Sequence, residues 1–91
     1  MFNAFTGIIR GRVQGVGFRY FAWNIAKTLN LTGWVRNLPD GSVEVLAYGT
    51  PAVLEQFLQK LKGGPMGSRV DSTRFQWLEL KEKYKTFEIR D

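Results

Sequence analysis

Arg19 closes the run Gln14-Gly15-Val16-Gly17-Phe18-Arg19, in which two glycines spaced by one residue precede a stretch of helical periodicity. Glycines so placed free the backbone for a tight, exposed loop. A loop of this kind ahead of a helix leaves several main-chain N–H groups without internal partners. With the helix dipole behind them, those groups can converge on one anion, and phosphate fits such a nest. The guanidinium of Arg19 would add a planar fork for two phosphate oxygens, which an ammonium does less well. The alternative is a plain turn with a solvated arginine. Asn37 is the second candidate, just ahead of Pro39-Asp40-Gly41. Asparagine is a poor strand former. It either begins that turn by bonding its own backbone or orients a water with a carboxamide that both donates and accepts.

Other glycine loops fit less well. A nucleoside-triphosphate loop requires a Gly-Lys pair, and the chain has none. A dinucleotide fingerprint requires a third glycine where Tyr20 stands. The segment Gly15 to Phe21 partly resembles the RNP1 element of RNA-recognition domains, but that element lies on a third strand, and this one follows the first. It also has Gln14 where a basic residue is expected. A non-catalytic module that binds an anion or RNA remains the alternative to an enzyme.

The absent residue types narrow the chemistry. The 91 residues contain no cysteine and no histidine. That removes disulfides, thiolate nucleophiles, zinc knuckles, iron–sulfur clusters and the commonest general base. The acids are scattered singly, so no metal site is expected and no cofactor is implied. A net charge of +5 favours anionic partners or serves solubility alone. No apolar run exceeds four residues, far short of the roughly 18 that cross a bilayer. Met1 to Ile9 carries no secretory pattern, so a cytoplasmic location without membrane contact is expected. At this length folding buries only about 60–65% of the unfolded surface, so most of the chain must join one core. One free-standing, monomeric domain over residues 1–91, without long disordered tails, is the expectation.

The elements that must position these residues follow from periodicity. Residues 5–13 alternate as a strand, with Ile9, Gly11 and Val13 on one face. Apolar positions 18, 21, 22, 25 and 29 predict a helix over about 20–30. Trp34 to Leu38 reads as a second strand, Pro39-Asp40-Gly41 as a hairpin turn, and Val43 to Tyr48 as a third strand. Thr50 and Pro51 suit the N-cap and first position of a helix lined by Leu54, Phe57, Leu58 and Leu61 and ending at Gly63-Gly64. Residues 63–72 read as a surface connection. Phe75 to Leu80 suggests a fourth strand, Lys81 to Lys85 a solvated turn, and Phe87 with Ile89 a short last strand. Trp23, Trp34 and Trp77, with Phe57, Phe75 and Phe87, are expected in packing. The order predicts an α+β, ferredoxin-like split βαβ sandwich. It has an antiparallel-dominated sheet, two helices on one face and a short extra C-terminal strand.

Taken together, Ile9-Arg10-Gly11-Arg12-Val13-Gln14-Gly15-Val16-Gly17-Phe18-Arg19 and Gly33-Trp34-Val35-Arg36-Asn37, followed by Gly41, Val43 and Gly49, closely resemble the two signature motifs of acylphosphatases. Length, element order and the closing Phe87-Glu88-Ile89-Arg90 resemble that family too, so the likeness spans essentially the whole chain. It implies a metal-independent hydrolase of small acyl phosphates that releases a carboxylate and inorganic phosphate. In it Gln14, Gly15, Val16, Gly17, Phe18 and Arg19 would bind phosphate, and Asn37 would orient the attacking water. It also suggests an orienting role for the Asp91 carboxylate near Arg19.

The residue inventory is consistent with that chemistry. Phosphoryl transfer proceeds through a loose transition state, so positioning and charge stabilisation supply most of the catalysis. Phosphate monoesters leave as poor alkoxides and usually demand a general acid or a metal. An acyl phosphate leaves as a stable carboxylate, which a site without histidine, cysteine or metal ligands can manage. No residue is an evident base, so the substrate phosphate itself is expected to take the water's proton.

Overall fold

The computed structural model describes residues 1–91. Its elements are β1 (Ala4–Arg12), α1 (Phe18–Thr28), β2 (Thr32–Asn37), β3 (Val43–Tyr48), α2 (Pro51–Gly63), β4 (Arg69–Leu78) and β5 (Phe87–Arg90). They form one five-stranded sheet in the order β4-β1-β3-β2-β5. β3 is antiparallel to both β1 and β2, so β1 and β2 run parallel on either side of it. β5 extends the sheet beyond β2 as its one parallel pair. This is the expected α+β, ferredoxin-like sandwich, with its extra C-terminal strand at an edge.

Strand alternation selects the buried face. Phe5 and Ile9 of β1, Val35 of β2, Val43, Val45 and Ala47 of β3 and Phe87 of β5 all enter one core. The helices close the same face. α1 contributes Phe18, Ala22 and Ala26, and α2 contributes Leu54, Phe57, Leu58 and Leu61. The alanines, fully buried, let the α1 backbone approach the sheet closely. On β1, Phe5 meets the ring of Phe57 from α2 at 6.0 Å and that of Phe75 from β4 edge-on at 5.2 Å. Trp23 and Trp34 are only half-buried.

Several strand and helix boundaries differ from the sequence reading, most of them by one or two residues. α1 begins at Phe18 rather than near residue 20, because Gly17 takes a left-handed conformation and serves as its N-cap. β2 covers Thr32–Asn37, starting two residues before and ending one residue before the expected Trp34–Leu38. β4 starts at Arg69, inside the stretch read as a surface connection. There Gly11 pairs with Val70 and Arg12 with Arg69 beyond a bulge after Arg10, so the ladder runs longer than the apolar pattern indicates. α2 starts at Pro51 as expected, although the Thr50 side chain makes no capping bond.

Candidate active site

The parallel arrangement of β1 and β2 brings their C-terminal ends to the same end of the sheet. β1 leads into the 14–17 loop and α1, and β2 leads into the hairpin. The loop is pinned at both sides by Val13 and Phe18, each 1% exposed. Between them Gly15 and Gly17 have φ of 74° and 77°. Left-handed residues spaced this way turn successive N–H groups toward one side, as an anion nest does. None of the main-chain N–H groups from Gly15 to Tyr20 donates a hydrogen bond to a protein acceptor. The first N–H satisfied within α1 is that of Phe21, which donates to the Gly17 carbonyl at 2.9 Å. No acidic side chain stands in the first turn of the helix to compete for these donors.

Beside the loop lies a cavity of about 210 Å³. One water needs only about 10–15 Å³, so a phosphoryl group and a neighbouring water can share it. Gly15, Gly17, Arg19 and Asn37 all line it, so the two candidate side chains face one space. Val13, Phe18, Tyr20 and Ile89 complete the lining. Arg19 is the only charged residue among these eight.

The guanidinium of Arg19 is held from the far side. Its Nη1 donates to the Arg90 carbonyl of β5 at 3.1 Å and lies 3.8 Å from the Asp91 carboxylate. Asp91 is fully exposed, so the ion pair is weak in water, whereas the carbonyl bond fixes direction. The Arg19 side chain is 34% exposed, half sheltered with the rest of its fork unused.

Asn37 ends β2 opposite Val43 and shares the helix-facing side of the sheet with Val35. Its carboxamide makes no hydrogen bond inside the protein, and the turn that follows is built without it. Leu38 N–H donates to the Ser42 carbonyl and Gly41 N–H to the Leu38 carbonyl. Asp40 accepts from both the main-chain N–H and the hydroxyl of Ser42. The carboxamide of Asn37 is therefore free to face the cavity.

Gln14 has a task the sequence did not reveal. Its side-chain Nε2 donates to the Leu38 carbonyl at 2.7 Å and to the Ser42 carbonyl at 2.9 Å. Both amide hydrogens are thus committed to the hairpin, and only the main chain of Gln14 remains on the loop side. This bridge sets the spacing between the glycine loop and Asn37.

The hairpin has its own pH dependence. The Ser42 hydroxyl and N–H hold the Asp40 carboxyl below the usual carboxylate range, and Arg10, 3.3 Å away, adds to this. A carboxyl with a folded pKa below its unfolded one adds stability above the unfolded value, and that stability is lost as pH falls through the folded value. The Asp40→Asn variant is therefore expected to have a lower urea midpoint at about pH 6 and a smaller further drop between about pH 5 and pH 2. Urea titrations at a series of pH values check this. An unchanged acid limb would remove Asp40 from the hairpin's stability.

No group of three or more acidic side chains converges anywhere in the structure. The RNP1-like stretch Gly15 to Phe21 forms the loop and the start of α1, not a strand whose face could stack bases. No helix is long and apolar enough to cross a membrane.

The fold and the site define a small α+β sandwich with a glycine loop of unpartnered main-chain N–H groups at one end of its sheet. A family model described as Acylphosphatase matches residues 5–89, and the chain belongs to the acylphosphatase family. It is thereby an enzyme of a family that hydrolyses acyl phosphates. It is 46% identical over 82 residues to an acylphosphatase of Syntrophotalea carbinolica, covering 90% of this chain and 89% of that protein. It is 51% identical over 74 residues to an acylphosphatase of Thermus thermophilus, covering 81% of this chain and 84% of the relative. The crystal structure of acylphosphatase from Bacillus subtilis superposes with a TM-score of 0.94 at 39% identity, covering 97% of this chain and 98% of that one.

Proposed function

We propose that this protein hydrolyses the carboxyl–phosphate bond of small acyl phosphates without a metal or cofactor, using the cavity beside the 14–17 loop. Main-chain amides from Gly15 to Tyr20 and the Arg19 guanidinium hold the phosphoryl oxygens. The amide of Asn37 orients a water toward phosphorus. As the water oxygen bonds to phosphorus, the bond from phosphorus to the acyl oxygen breaks and its electron pair leaves on the carboxylate. The water's proton passes to a phosphoryl oxygen. The products are a carboxylate and inorganic phosphate.

The supporting observation is the convergence on one cavity of unpartnered loop amides, a single cation and a carboxamide with no internal bond. Donors fixed in advance stabilise the charge of a loose transition state without reorganising. A carboxylate leaving group needs no acid, which suits a cavity lined by none. Gln14 acts as a positioning residue, holding the hairpin and the loop in register. The protein is further proposed to act as a cytoplasmic, monomeric single domain with no nucleic-acid partner.

Benzoyl phosphate followed by absorbance in excess chelator tests the reading. Continued hydrolysis, with a rate proportional to protein, is expected. No turnover at any protein concentration would leave a non-catalytic anion-binding module of the same fold.

A further inference from the structure

We propose that the side chains of Tyr20 and Ile89 form an acyl-group subsite at the mouth of the phosphate cavity, selecting, among small acyl phosphates, aromatic and branched apolar ones over the two-carbon acetyl compound. The proposal rests on the phosphoryl reading above, because it assigns the apolar side of the same cavity to the leaving carboxylate. Large hydrophobic side chains remain exposed at only five positions, and Tyr20 and Ile89 are two of them, 61% and 43% exposed. They come from α1 and β5, at opposite ends of the chain, yet both line this one cavity. Scattered apolar exposure is ordinary on a protein surface, but convergence on a concavity that already holds the polar donors is not.

The two side chains are also ordered before any ligand arrives. The Tyr20 ring stacks on Trp23, one turn further along α1, with centroids 5.8 Å apart and planes 18° apart. Ile89 is β-branched and sits on a hydrogen-bonded strand paired with Val35. It directly precedes Arg90, whose carbonyl holds Arg19. The strand that aims the cation therefore also presents the apolar wall. An acyl chain meeting this wall loses little side-chain entropy from the protein. Apart from the Tyr20 phenol, the wall offers no hydrogen-bonding group, so a charged or hydroxylated chain would be desolvated without compensation. The class selected is the uncharged aromatic or branched aliphatic acyl phosphate.

The test compares kcat/KM for benzoyl and acetyl phosphate in the wild type, Tyr20→Ala, Tyr20→Phe and Ile89→Ala, with circular dichroism confirming that each variant folds. The wild type is expected to favour benzoyl phosphate by about tenfold, mainly through KM, as one added aromatic contact allows. Tyr20→Ala should erase most of that ratio and Ile89→Ala part of it, while Tyr20→Phe should retain it. A wild-type ratio near one, or equal losses on both substrates in Tyr20→Ala, overturns the subsite and leaves the hydrolase standing. Wild-type protein that hydrolyses neither compound overturns both.

Discussion

Arg19→Ala is expected to lower kcat/KM for an acyl phosphate by about 10³-fold, or about 4 kcal/mol of transition-state stabilisation. Inhibition by inorganic phosphate should weaken in parallel. Arg19 is the only cation lining the cavity, so in the proposed reaction it would balance charge in both the bound ion and the transition state. The gain is larger in the transition state, where charge accumulates on the phosphoryl oxygens while the loop amides keep fixed positions. Lysine should restore little. A flexible ammonium cannot both accept direction from the Arg90 carbonyl and present a planar fork to two oxygens. The side chain is partly exposed and its internal bond lies at the rim of the fold, so the variant should remain folded. Steady-state kinetics with phosphate as a competitive inhibitor read both effects. Unchanged phosphate inhibition in Arg19→Ala would contradict the assignment.

Asn37→Ala is expected to separate binding from turnover. Its carboxamide makes no bond within the protein, so its loss should leave fold and loop intact, and phosphate inhibition should stay within about twofold of wild type. kcat should fall by about 10²- to 10³-fold, the range seen when one donor acting at the reacting centre is removed. Gln14 supplies the companion experiment. Its side chain joins the loop to the hairpin through the Leu38 and Ser42 carbonyls, and Asn37 directly precedes Leu38. Gln14→Met, similar in length but without donors, should lower kcat in the wild type and have little further effect when Asn37 is already alanine. Such non-additivity is the signature of a residue that acts through another. Equal losses in both backgrounds would mean that Gln14 only stabilises the fold. Hydrolysis at the normal rate by Asn37→Ala would remove the water-orienting role.

Much of this architecture is legible along the chain because its causes are local. The spacing of Phe18, Ala22 and Ile25 marks a helix, and Pro39-Asp40-Gly41 can hardly be anything but a turn. The start of β4 was not legible. Arg69, Asp71 and Ser72 are exposed and polar, and β4 is an edge strand whose first residues are recruited by pairing with β1. The early start of α1 depends on the left-handed conformation of Gly17, which residue type permits but does not impose.

The site divides along the same line. By itself the sequence determined the donors: two glycines that allow a left-handed loop, an arginine at its end, and an asparagine before a turn. It left open whether Asn37 belonged to that turn. The tertiary structure decided it, because Asp40 organises the turn and leaves the carboxamide without a partner. The sequence places Gln14 in the phosphate loop but carries no sign of its side-chain bonds to two hairpin carbonyls, since main-chain acceptors are the same in every residue type. Only folding brings β5 beside β2 and so sets Arg90 behind Arg19 and Ile89 beside Tyr20. Residue types and short spacings fix which groups can bond. Which of them meet depends on strand pairing between distant segments, and that is decided by burial of the whole core rather than by any local pattern.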